Sequence, residues 1–130
     1  MKFELNEERN GYTLVSSDDV PTVVIPQEYD GKPVTRIGDG AFAVCTSLTS
    51  VTIPNSVTSI GRGAFAVCTS LTSVTIGNSV TSIYAQAFSN CKSLKSVYYN
   101  GDRASWDKIV FGIGDANPLC YGATLHINED

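Results

Sequence analysis

Four cysteines and a single histidine are the residues of this 130-residue chain best suited to chemistry. A thiolate can attack a carbonyl, hold zinc or form a disulfide, and a nearby imidazole can activate it. The spacing of three of the thiols points elsewhere. Cys45, Cys68 and Cys91 recur at one constant step, each at the equivalent position of a repeat. Zinc needs ligands that converge, and a column of identical positions does not converge. The column reads as small hydrophobes facing a core. Cys120 stands outside it and is expected to pack within a C-terminal cap, the alternative being an exposed thiol able to link two chains. His126 follows shortly after it in the chain, close enough for a Cys–His pair, but nothing else marks a nucleophile. Asp18, Asp19 and Asp102 are isolated acids at turns and not a calcium loop. The repeated Gly-x-Gly precedes no long helix, so it is not a phosphate loop. The expectation is a non-catalytic protein without metal or cofactor.

The hydroxyls are more regular than any catalytic group. Ser50, Ser73 and Ser96 keep the step of the cysteines, as do Thr52, Thr75 and Tyr98. Within Leu48-x-x-Val51-x-Ile53 the alternation of a short strand turns Val51 and Ile53 inward and Ser50 and Thr52 outward. Strands stacked at about 4.8 Å, one per coil, make a parallel sheet. The outward residues then form two columns. One reads Thr22, Ser50, Ser73, Ser96 and Thr124; the other reads Val24, Thr52, Thr75, Tyr98 and His126. Ser50, Thr52, Ser73, Thr75, Ser96, Tyr98 and His126 are the candidate binding residues of this face, with Tyr98 the candidate anchor because aromatic residues are enriched at binding hot spots. The plain alternative is that Ser and Thr here are ordinary wet-face strand formers.

The elements that position these columns follow from the repeat. Gly40 to Ile53 returns letter for letter as Gly63 to Ile76, and Phe42, Phe65 and Phe88 keep the same step. A fixed period of this length marks a solenoid, in which one coil cannot bury its apolar face alone. Val57 and Ile60 belong to the opposite wall, Gly61-x-Gly63 to a bend, and Ala64, Phe65 and Cys68 have the spacing of a turn or two of helix. About three full coils are expected over residues 22–99. Residues 1–21 read as an N-terminal cap built on a hairpin, with Asn10-Gly11 as its turn signal. The stretch Gln27 to Pro33 carries an insertion relative to the later coils, with Asp30-Gly31 in a surface turn. After Val97 the period fails, as a terminal cap over 100–130 requires. That cap should contain a short amphipathic helix within Ser105 to Val110, Ser105 as its N-cap, Trp106 as its core anchor, closing glycines at 112 and 114, and a last strand near Ala123 to Ile127.

Composition bounds the function. The chain is 42% apolar and 17% charged. That balance is globular, and the length suits one domain. A net charge of −4 with scattered Lys and Arg argues against nucleic acid. No apolar run approaches the ~20 residues that cross a membrane. The N-terminus holds no apolar segment of a secretory signal, so the chain is either intracellular or a domain of a longer exported protein.

The motif Val-Thr-Ser-Ile-Gly-x-x-Ala-Phe-x-x-Cys-x-x-Leu-x-x-Val-x-Ile-Pro resembles the repeat of the BspA-like leucine-rich repeat family. The tail, Tyr99-Asn-Gly-x-x-x-x-Trp106-x-x-Ile109 followed by Asn117-x-Leu119 and Ala123-Thr-Leu, resembles the segment that closes many bacterial members. The resemblance implies a right-handed α/β leucine-rich-repeat solenoid with a concave parallel sheet, short helical turns on the convex side, and free buried cysteines. It also implies an adhesion-type role at the bacterial cell surface within a longer exported chain. The outward columns themselves give the expectation of a protein or glycan partner on the concave face, and hydroxyl-rich strands able to pair edge to edge give that of a monomer or weak dimer. The competing expectation is a structural spacer or minimised, designed scaffold with no ligand of its own, which the near-identity of the two central coils would suit.

Overall fold

The structure, a computed structural model, is described for residues 1–127; the end of the expected C-terminal cap lies outside that range. The chain opens with strands β1 (Lys2–Leu5) and β2 (Tyr12–Ser16). The first coil supplies β3 (Thr22–Val24), β4 (Glu28–Tyr29) and β5 (Lys32–Ile37). Two regular coils follow with β6 (Ser50–Thr52), β7 (Ser59–Ile60), β8 (Ser73–Ile76) and β9 (Ser82–Ile83). The tail adds β10 (Ser96–Tyr99), helix α1 (Arg103–Asp107), β11 (Val110–Phe111) and β12 (Thr124–Ile127). The chain thus winds between two walls. One is a five-stranded sheet ordered β12-β10-β8-β6-β3, and the other runs β1-β2-β5-β7-β9-β11 with β4 paired to β5.

The repeat sets this arrangement through side-chain size. Val51, Val74 and Val97 point inward from the first wall, and Ile37, Ile60 and Ile83 from the second; all are buried. Phe42, Phe65 and Phe88 fill the space at one end of each coil as a stacked ladder, with ring centroids 4.8 and 5.2 Å apart. Only in-register stacking brings Phe onto Phe and Leu onto Leu, so one coil dictates the place of the next.

The expected helical turns beside the phenylalanines are instead a chain of tight turns. Among the described residues the only α-helix is α1. The hydrogen bonds give the reason. Ala66 and Cys68 N–H donate back to Gly63 and Phe65, whereas the alternate Gly63, Phe65 and Val67 N–H donate to Ala85, Ala87 and Ser89 of the next coil. A helix would use every one of these donors internally. Left-handed backbone at both ends, Gly63 (φ 56°) and Val67 (φ 62°), enforces the alternation.

The N-terminal hairpin forms, but its loop spans Asn6 to Gly11, closed by Asn6 N–H on the Gly11 carbonyl at 2.9 Å, so Asn10-Gly11 is only part of the turn. The hairpin extends the second wall, where β2 pairs with β5. Phe3 stacks on Tyr29 at 4.3 Å, which ties the cap to the inserted β4–β5 hairpin. That hairpin turns at Asp30 (φ 50°) and Gly31 (φ 78°). Paired positive φ values of this kind belong to a tight two-residue turn.

The C-terminal tail loses the sequence period but keeps the coil. Ser105 is not the N-cap: Asp102 is, and its carboxylate accepts from the Ser105 N–H at 2.8 Å. That bond holds the Asp102 carboxyl below its ordinary pKa. The helix ends by Lys108, and Val110 leaves it to pair with Ser82 as the last strand of the second wall. Gly114 (φ 63°) then repeats the bend of Gly40 and Gly63. Where a further coil would offer a carbonyl to Asn90 N–H, the Tyr121 hydroxyl accepts at 2.9 Å and donates to Asp115 at 2.8 Å. Trp106 is buried, packed edge-on to Tyr99 at 5.2 Å, the anchor role expected of it.

Candidate functional site

The five-stranded wall presents the two outward columns in the expected register. Thr22 pairs with Ser50, Ser50 with Ser73, Ser73 with Ser96, and Ser96 with Thr124. The second column runs Val24, Thr52, Thr75, Tyr98 and His126 through the same pairings. The serines and threonines of the central coils are half-buried by their neighbours, while Val24 is 64% and Tyr98 44% exposed. The face is therefore a hydroxyl field with an aromatic end.

A ring stack marks that end. The His126 ring lies on the Tyr98 ring, centroids 4.6 Å apart and planes 15° from parallel. Beside them an open depression of about 200 Å³ is lined by Tyr98, Tyr99, Asn100, His126 and Ile127. All seven predicted site residues share this wall, but only Tyr98 and His126 reach the depression. Asn100 completes it and was missed from the sequence; its signal was its place directly after the strand that carries Tyr98. The Tyr99 ring is buried behind, and its burial pushes the phenol pKa up.

The thiols are assigned different places by the fold. Cys45, Cys68 and Cys91 are free and buried, as the column implied. Two of them also donate hydrogen bonds that the spacing of the column does not reveal. The Cys68 thiol donates to the Phe42 carbonyl at 3.1 Å, and the Cys91 thiol to the Phe65 carbonyl at 3.0 Å, each reaching into the preceding coil. Burial pushes the Cys45 thiol up to about 11. The Cys91 side chain and burial raise Cys68 further. Cys120 is exposed rather than packed in the cap, because Pro118 and Leu119 take the inward positions around it. His126 is engaged with Tyr98, and among the described residues no hydrogen bond joins it to Cys120. No group of three or more metal-ligating side chains is found among the described residues. No described helix is long and apolar enough to cross a membrane.

Comparison with known proteins places this geometry in context. A sequence model described as the BspA type leucine rich repeat region matches residues 15–112 in six copies. A leucine-rich repeat protein from Bacteroides capillosus ATCC 29799 is 30% identical, with a TM-score of 0.75, covering 97% of this chain and 92% of that one. The leucine-rich repeat protein of T. pallidum is 25% identical with a TM-score of 0.72; 97% of this chain is covered, and the chain spans 61% of that protein. A third, from Bacteroides ovatus ATCC 8483, is 25% identical with a TM-score of 0.64; 98% of this chain is covered, and 36% of that one. Among curated proteins no sequence match is found.

Proposed function

Because the chain belongs to the BspA-type leucine-rich repeat family, we propose that it is a non-catalytic interaction module that binds a protein or glycan partner through the five-stranded wall. The observation that carries this reading is the register: two outward columns that end on the exposed Tyr98–His126 stack. Rows repeating at about 4.8 Å suit an extended peptide or a flat sugar chain, because each coil offers a hydroxyl that both donates and accepts. Tyr98 supplies apolar contact area at the end of the row, and Asn100 supplies an amide at the depression. The module works at a bacterial cell surface, within a longer exported protein, as a monomer or weak dimer. Nucleic acid is a poor partner for a chain of net charge −4, since phosphates call for clustered Lys and Arg.

A panel of extracellular-matrix proteins and a glycan array, read with the wild type and Tyr98→Ala side by side, tests the reading. The expected result is a saturable ligand whose affinity drops about tenfold or more in the variant, with the thermal midpoint unchanged. A ligand indifferent to both Tyr98→Ala and Thr75→Glu removes this wall as the site. Silence on both panels favours a spacer.

A further inference from the structure

The second wall carries a feature that the repeat does not explain. Segments 34–53 and 57–76 are identical except at Arg36/Ser59 and Asp39/Arg62. These four residues meet. Arg36, Asp39 and Arg62 line one open depression of about 240 Å³, and the Ser59 hydroxyl accepts from Arg36 Nε at 3.1 Å. The fourth lining residue, Tyr84, also breaks the pattern, standing where the other coils have Gly38, Gly61 and Gly112. Tyr84, 47% exposed, instead brings an aromatic ring to the lining.

The charges in this depression are not spent on each other. Among the described residues, ion pairs join Met1 to Asp18 and Arg103 to Asp107, and neither guanidinium of the depression is within pairing distance of a carboxylate. Asp39 is held by its Oδ1, which accepts from the Arg62 backbone N–H at 2.8 Å. Two guanidinium forks, one positioned by Ser59, thus share a hollow with a carboxylate and an exposed aromatic ring.

We propose that this depression is a second binding site, separate from the five-stranded wall, and that it takes an anionic sugar residue of a glycan. A guanidinium matches the planar carboxylate of a uronate or the oxygens of a sulfate ester. The Tyr84 ring offers a flat apolar face to the sugar ring. The Asp39 carboxylate accepts sugar hydroxyls with its remaining lone pairs. This last group favours a sugar over an acidic peptide, because a run of peptide carboxylates would meet Asp39 with like charge, while a sugar brings hydroxyls along with its anion.

Titration calorimetry at about 0.15 M salt, where loose surface attraction is screened, provides the test. The probes are a hyaluronan hexasaccharide (carboxylate only), a dextran sulfate oligosaccharide (sulfate only), neutral chitohexaose and hexaglutamate. Arg36→Ser and Tyr84→Gly each install the residue another coil carries there, so both should fold, and circular dichroism with thermal melting verifies this. The expected result is binding of at least one anionic sugar, a loss of about tenfold or more in Arg36→Ser and in Arg62→Ala, and no loss in Tyr98→Ala. Which anionic sugar binds identifies carboxylate or sulfate as the source. Silence toward both anionic sugars, equal binding of chitohexaose or hexaglutamate, or binding that survives both arginine substitutions overturns the assignment. Loss in Tyr98→Ala alone would return the ligand to the other wall.

Discussion

The two walls of the coil stack are built from the same repeat yet treat their outward positions differently. On the five-stranded wall the central coils repeat Ser50 as Ser73 and Thr52 as Thr75 without change. On the opposite wall Arg36 becomes Ser59 and then Ser82, and the glycine of Gly38 and Gly61 becomes Tyr84. Repetition yields a long surface whose rows are alike, suited to a partner that also repeats. Departure from repetition yields a local hollow with a particular set of charges. Both are compatible with one fold because the residues behind them, Val51 and Val74 on one side and Ile37 and Ile60 on the other, are fully or almost fully buried and do not vary in kind.

That contrast presupposes a shared core, and the largest expected effect breaks it. Phe65→Ala removes the middle ring of the ladder and its stacking contacts with Phe42 and Phe88, and should cost about 3–5 kcal/mol in chemical denaturation. A cost under about 1 kcal/mol would mean that the coils do not depend on the ladder. Next in size is a direct comparison of the walls. A Cβ at Gly61 would lie 2.6 Å from Asp39 Oδ1 and 2.7 Å from its backbone nitrogen. Gly61→Ala should therefore cost about 1–3 kcal/mol. Thr75→Ala on the wet face should stay within about 0.5–1 kcal/mol. Equal costs would erase the difference between an individual wall and a repetitive one.

Smaller effects sharpen the account of the corner that joins the walls. Val44 holds φ 60°, whereas the third coil places Asn90 there at φ 61°. That conformation is costly for a β-branched residue and much easier for asparagine. Val44→Asn should therefore raise stability by about 1 kcal/mol, measured as an upward shift of the denaturation midpoint at constant slope. The thiol column adds a pH dependence. Cys45 is raised to about 11 in the fold by burial first and by Cys68 second. An unfolded thiol ionises at about pH 8.5. A raised acid pKa contributes stability below the unfolded value that is lost as pH climbs through the folded one, so unfolding free energy should fall between about pH 9 and 11. The fall should be shallower in Cys45→Ala. Smallest of all is a labelling difference between the buried thiols and the exposed one. A maleimide at neutral pH should label Cys120 alone in the folded protein and reach Cys45, Cys68 and Cys91 only on unfolding.

Much of the five-stranded face was legible beforehand. The repeat step is preserved between strands, so the columns from Thr22 to Thr124 and from Val24 to His126 follow once alternation assigns Val51 inward. The corner was not legible in the same way. Ala64, Phe65 and Cys68 have spacing that helix and stacked turns share, and nothing local reveals whether the Phe65 N–H bonds within its coil or across to Ala87. Asp102 and Ser105 are both good caps, and the choice fell to Asp102 because the helix begins at Arg103. The exposure of Cys120 depended on which of its neighbours turned inward.

The sequence alone determined the winding and the register, since any other stacking of near-identical coils would separate Phe from Phe, Cys from Cys and Leu from Leu and leave apolar surface in water. It also determined which residues face outward on the five-stranded wall, because strand alternation and a constant period leave no freedom there. The tertiary structure decided what those surfaces become. Arg36, Arg62 and Tyr84 lie far apart along the chain, one on each of three successive coils. They line one hollow only because adjacent coils bring successive turns of chain within reach of one another, a proximity that no local spacing records.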